Sequence, residues 1–67
     1  MELKINGVVE TVEAATVAEL LDARDIDPAR RGIAVALNGA VVPRRAFGET
    51  RLSPGDAVEI IQARQGG

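Results

Sequence analysis

The sequence predicts an α+β domain: a mixed sheet of four to five strands with one main helix packed on one face. Three observations carry this. Two Asn-Gly pairs, Asn6-Gly7 and Asn38-Gly39, each sit between short runs of strand-forming residues. A single stretch, residues 17–24, spaces its apolar residues as a helix does. A last apolar run, residues 57–62, follows a Pro-Gly turn signal.

The elements follow in order. Residues 2–5, ELKI, alternate polar and apolar, so Leu3 and Ile5 share one strand face. Asn6-Gly7 then favours a type I′ turn, in which both central residues need positive φ. Residues 8–12, VVETV, form the return strand of a hairpin.

Thr16-Val17-Ala18-Glu19 reads as a capping box, threonine capping and glutamate reaching back. Val17, Leu20 and Leu21 fall at i, i+3 and i+4 and give one apolar stripe. The helix is expected from about Val17 to Arg24. Asp27-Pro28 blocks its continuation, because a residue before proline avoids the helical region. Ile26 is expected to tuck under the helix end.

Residues 33–37, IAVAL, form a strand with Ile33, Val35 and Leu37 toward the core and the small Ala34 and Ala36 facing away. Asn38-Gly39 turns the chain into the short strand 40–42, which Pro43 ends, as at a sheet edge. Residues 44–52 are a loop or a short helical turn. Ser53-Pro54-Gly55-Asp56 has its proline and glycine in the order of a type II turn. Residues 57–62 form the last strand, expected beside the first in the centre of the sheet. The expected core is Leu3, Ile5, Val12, Val17, Leu20, Leu21, Ile26, Ile33, Val35, Leu37, Leu52, Val58 and Ile60. Ile61 breaks the alternation of its strand.

With 67 residues, the chain is one small domain, 1–62, followed by a flexible tail, 63–67. Cysteine and histidine are both absent, which excludes disulfides and a structural zinc and leaves no expected metal site. Hydrophobic residues make up 46% of the chain, too many for a disordered segment. No apolar run reaches the roughly 18–20 residues of a membrane span. The start, MELKING, lacks the apolar core of a signal peptide. A monomeric cytoplasmic protein is expected. A net charge of -2 and a single aromatic residue, Phe47, argue against nucleic acid as a partner.

Conventional catalysis has little to work with. The hydroxyls are Thr11, Thr16, Thr50 and Ser53, and no histidine stands by to activate one. The glycines sit singly at turns rather than in a phosphate-binding loop. The chain therefore reads as a non-enzyme.

The terminus, ARQGG, is the remaining feature. Two glycines let a backbone and its carboxylate approach a reacting centre that any Cβ would block. A terminal carboxylate, with a pKa near 3.5, is an anion at neutral pH and a poor electrophile. It needs activation by a partner, for which an acyl-adenylate formed from ATP is the expected route. The five residues after Gln62 give roughly 18 Å of reach into such a partner.

A β-grasp pattern ending in Gly-Gly resembles the ubiquitin-like proteins. Within them the chain is similar to the thiamine-biosynthesis sulfur carriers, the ThiS family. The matching stretches are TVAELL at 16–21, AVALNGAVVPR at 34–44, LSPGDAVEII at 52–61 and Gly66-Gly67. Together they span nearly the whole length. The resemblance implies a ubiquitin-like β-grasp fold and a carrier that binds no cofactor itself. An activating enzyme would use ATP to adenylate Gly67. Sulfur from a cysteine desulfurase system would convert the carboxylate to a thiocarboxylate, and thiazole synthase would take the sulfur into the thiazole of thiamine. Gly66 and Arg64 would thread the partner's channel, where Arg64 either pairs with acidic residues or is simply solvated.

Family members often carry a large aromatic after the VPR stretch, and here Phe47 is the one candidate. It is either an exposed partner contact or a plug beneath the loop. Arg44, Arg45 and Arg51 offer a basic patch to an acidic partner or are simply solvated. Lys4 is the sole lysine against seven arginines. An activated acyl terminus acylates amines, so few lysines would limit self-modification, although arginine-biased coding gives the same pattern. Molybdopterin-type carriers, carriers for secondary metabolites and ubiquitin-like protein modifiers share the diglycine end and stand as alternatives. So does a plain binding module in which Gly67 does nothing.

Overall fold

The computed structural model describes residues 1–63. They form one α-helix and a five-stranded mixed sheet. The strands are β1 (Glu2–Ile5), β2 (Val8–Thr11), β3 (Ile33–Leu37), β4 (Ala40–Val42) and β5 (Ala57–Gln62). The helix, α1, is Val17–Ala23, and a 3₁₀ turn covers Arg44–Ala46.

The sheet order is β2-β1-β5-β3-β4. The first and last strands lie side by side at its centre, as expected, and run parallel. A parallel pair needs a long crossover. Here the crossover holds the helix and the β3-β4 hairpin. Both Asn-Gly pairs make the expected tight turns, with φ near 50° at Asn6 and Asn38 and 85° at Gly7 and Gly39. The Ser53–Asp56 turn closes through an Asp56 N–H to Ser53 carbonyl bond of 3.1 Å.

The core lies between α1 and one face of the sheet. Leu3, Ile5, Val35 and Val58 from the three central strands meet Val17, Leu20 and Leu21 from the helix, and all seven are fully buried. Full burial of one such side chain is worth about 1.5–3 kcal/mol. Ile26, Ile33, Leu52 and Ile60 complete the expected set. Two expected core residues, Val12 and Leu37, are only half-buried and pack against the core's margin. Val12 lies beyond β2, which ends at Thr11, one residue earlier than expected. Leu37 lies at the far end of β3, opposite Ala40. Three buried apolar residues lay outside the expected list: Ala14, Val42 and Phe47.

The helix is tied at both ends. The Thr16 hydroxyl accepts from the Glu19 N–H at 3.2 Å. The Glu19 carboxylate reaches back to the Ala15 N–H, at 3.0 Å, rather than to Thr16 itself. At the other end Arg24 is the C-cap, where the sequence extended the helix through it. Asp25 takes a left-handed φ of 58°. The Ile26 N–H returns to the Leu21 carbonyl and the Asp25 N–H to the Asp22 carbonyl. This is a Schellman closure, and it delivers Ile26 to the core.

Candidate functional site

β5 is the last strand, and the described chain ends one residue beyond it, at Ala63. β5 pairs antiparallel with β3 through Gln62 opposite Ile33. The ladder continues one residue further, because the Ala63 N–H donates to the Gly32 carbonyl at 2.8 Å. Arg64, Gly66 and Gly67, the tail residues that the sequence singles out, lie outside the described residues.

The other three candidates do not form one site. Phe47 is 3% exposed. Its role as an exposed partner contact is therefore corrected: it is the plug beneath the loop. The reason is local. The 3₁₀ turn and residues 47–50 fold over the start of α1, so that the Phe47 and Thr50 carbonyls accept from the Ala18 and Val17 N–H groups, both at 3.0 Å. The loop thus supplies acceptors for helix N–H groups that have none within the helix. It can lie that close only by burying its one large apolar side chain.

Arg44 is exposed, yet its guanidinium is engaged. It donates to the Ala29 carbonyl at 3.0 Å and to the Arg30 carbonyl at 2.9 Å. It therefore braces the loop between α1 and β3. Arg45 is exposed beside it. Arg51 is exposed too, but its backbone pairs with Thr16 at the start of α1. Among the described residues, no three His, Cys, Asp or Glu side chains gather as a metal site, and no buried side-chain N or O lacks a partner. Among them too, no helix is long and apolar enough to cross a membrane.

One surface was missed by sequence reasoning. The sheet face opposite α1 carries apolar residues. Val41 is 78% exposed and lies opposite Ala36, while Ile61 is 59% exposed and lies opposite Ala34. Glu59 shares this face, also opposite Ala36, so a carboxylate stands among these apolar residues. The signal was present in the sequence: Ile61 breaks the alternation of its strand, and Val41-Val42 places one valine on each face.

With this geometry in hand, the chain can be compared with known proteins. A model of the ThiS family matches residues 3–67. No curated protein matches in sequence. Among solved structures, the crystal structure of a thiamine biosynthesis protein (ThiS) from Geobacter metallireducens is 41% identical, with a TM-score of 0.80, and the alignment covers 100% of both chains. The solution structure of a thiamine biosynthesis protein from Geobacter metallireducens, also 41% identical, gives a TM-score of 0.82 over 100% of this chain and 88% of that one. The architecture is the ubiquitin-like β-grasp.

Proposed function

The chain belongs to the ThiS family, and from that premise we propose that it is a sulfur carrier of thiamine biosynthesis whose Gly67 carboxylate is the working group. The observation that supports this best is the course of β5. This central strand brings the chain to the rim of the sheet at Ala63, with four residues, Arg-Gln-Gly-Gly, still to follow. Four residues reach about 14 Å, enough for a terminus to enter a partner's channel while the domain stays outside.

The chemistry proceeds in two steps. In the first, a Gly67 carboxylate oxygen attacks the α-phosphorus of ATP in an activating enzyme, and pyrophosphate leaves. In the second, a sulfur nucleophile from a cysteine desulfurase system attacks the acyl carbon. AMP departs with one of the original oxygens; the nucleophile being a persulfide, a thiol then cleaves the S–S bond of the acyl disulfide, leaving the thiocarboxylate and a new disulfide on the donor side. Thiazole synthase then draws on that sulfur. The domain has no catalytic part in this. It is a carrier and co-substrate, and the ATP belongs to the partner. The sheet face that carries Ala34, Ala36, Val41, Glu59 and Ile61 is the surface by which a partner would hold the domain, because Ile61 lies at the end of β5.

The test is deletion of Gly67. The fold should persist, since among the described residues the core lies within residues 1–60. Loading should be abolished, because the new terminus falls about 3.5 Å short of the adenylating centre, and misplacement on that scale costs roughly 10²-fold or more. One residue added after Gly67 should fail as well. Loading is read by intact mass after incubation with ATP, the activating enzyme and a sulfur source. A thiocarboxylate exchanges one oxygen for one sulfur, whereas a protein modifier gives larger covalent species. Wild-type loading of both the shortened and the lengthened chain would sink the reading.

A further inference from the structure

Gly32 is not at a hairpin turn, yet its φ is 83°, in the left-handed region. It ends the loop that leads into β3, and its carbonyl receives the Ala63 N–H. A Cβ built on Gly32 would lie 2.7 Å from the Ala63 carbonyl oxygen and 3.4 Å from the Ala63 Cβ. The first distance is too short for a real contact, so something would have to move.

The two sides differ in how well they are held. On the loop side, Arg44 grips the Ala29 and Arg30 carbonyls. The Asp27 carboxylate accepts from the Ala29 N–H, and the Asp27 carbonyl accepts from the Arg30 N–H. Among the described residues, Ala63, past the end of β5, has its one backbone bond to Gly32. A side chain at position 32 would therefore displace Ala63 rather than the loop.

We propose that Gly32 is a positioning residue: its missing side chain lets Ala63 dock at the rim of the sheet, and this fixes where the chain leaves the domain. The inference rests on the reading that Gly67 is the group loaded. With Ala63 released, a partner has at least one more residue to order than with Ala63 docked. Fixing one more backbone residue corresponds to a factor on the order of ten in affinity. The loss is the same in the ground state and the transition state, so it raises KM and leaves kcat alone.

The experiment measures steady-state adenylation of the full-length chain by the activating enzyme, as ATP–pyrophosphate exchange, for four proteins. These are wild type, Gly32→Ala, Ala63→Pro and Gly39→Ala. Ala63→Pro removes the donated N–H and turns a ring carbon toward the Gly32 carbonyl while leaving the loop's own residues unchanged, and decides the matter if Gly32→Ala fails to fold. Gly39 has nearly the same φ, 85°, but nothing within 4 Å of its would-be Cβ. Its variant therefore carries the backbone strain without the contact. KM should rise about ten-fold in Gly32→Ala and Ala63→Pro, with kcat within about two-fold of wild type, and should not change in Gly39→Ala. Hydrogen exchange should show the Ala63 amide losing protection in Gly32→Ala alone of the two glycine variants. An unchanged KM in Gly32→Ala, or an equal rise in Gly39→Ala, overturns the proposal while the carrier function stands. A wild-type chain that is not adenylated at all overturns the function, and the proposal with it.

Discussion

Asn6 stands at φ 50° in the first turn, and its side chain both accepts from the Ile60 N–H at 2.8 Å and donates to the Ile60 carbonyl at 3.2 Å. Asn38, in the second turn, accepts from the Ala57 N–H at 2.9 Å and donates to Asp56 at 3.1 Å. Each asparagine makes its turn and also holds β5, one from either side. Only the turn role is legible locally, since φ tolerance belongs to the residue and the partners lie 54 and 19 positions away. Asn6→Gly separates the two roles. Glycine suits the type I′ position at least as well, so a pure turn residue would lose almost nothing. Two lost hydrogen bonds predict a cost of about 1–2 kcal/mol, read from the urea denaturation midpoint at unchanged m. Phe47 was legible in the same partial way. Its size argued for burial and its loop position for contact, and the packing of that loop on the helix start decided between them.

The elements themselves were set by local chemistry. The cap at Thr16, the stripe of Val17, Leu20 and Leu21, and the two Asn-Gly turns fall where the sequence places them. The element ends were less legible. Nothing in Ala23-Arg24-Asp25 marks where the helix stops, because the closure uses an aspartate in a left-handed conformation that glycine usually takes. It is the pull of Ile26 into the core that holds Asp25 there. The αL region costs an L-residue roughly 1–2 kcal/mol, less for aspartate, and glycine gives part of the gain back as unfolded-chain entropy. Asp25→Gly should therefore stabilise the domain by about 0.5 kcal/mol, raising Tm by roughly 2–4 °C in a chain of this size. A lowered Tm in calorimetry would mean that the aspartate side chain contributes something the closure does not show.

At the scale of the molecule, stability comes from packing rather than charge. Among the described residues there is one ion pair, Arg24 to Glu10 at 2.9 Å, with both side chains 36% exposed. Pairs of that kind contribute about 0–1 kcal/mol and are screened by salt. Glu10→Gln should thus shift unfolding free energy by less than about 1 kcal/mol, and so should raising sodium chloride from about 0.02 to 0.5 M. A larger loss in either chemical denaturation series would mean that long-range electrostatics supports the fold. The chain's beginning and end meet as the central parallel pair, so the core closes only when contacts between distant segments form.

The sequence by itself determined the order and type of the elements, the core face of each, and the absence of the side chains that conventional catalysis uses. These follow from periodicity, turn chemistry and composition, which act over a few residues at a time. The resemblance of its motifs to one family pointed to the function proposed. The tertiary structure alone decided what depends on distant segments meeting. It buried Phe47, engaged Arg44 with a loop, and turned two asparagines toward β5. It also set Gly32 against Ala63. Whether a residue's Cβ has room, or its amide a partner, is a property of two segments brought together, and no local pattern encodes it.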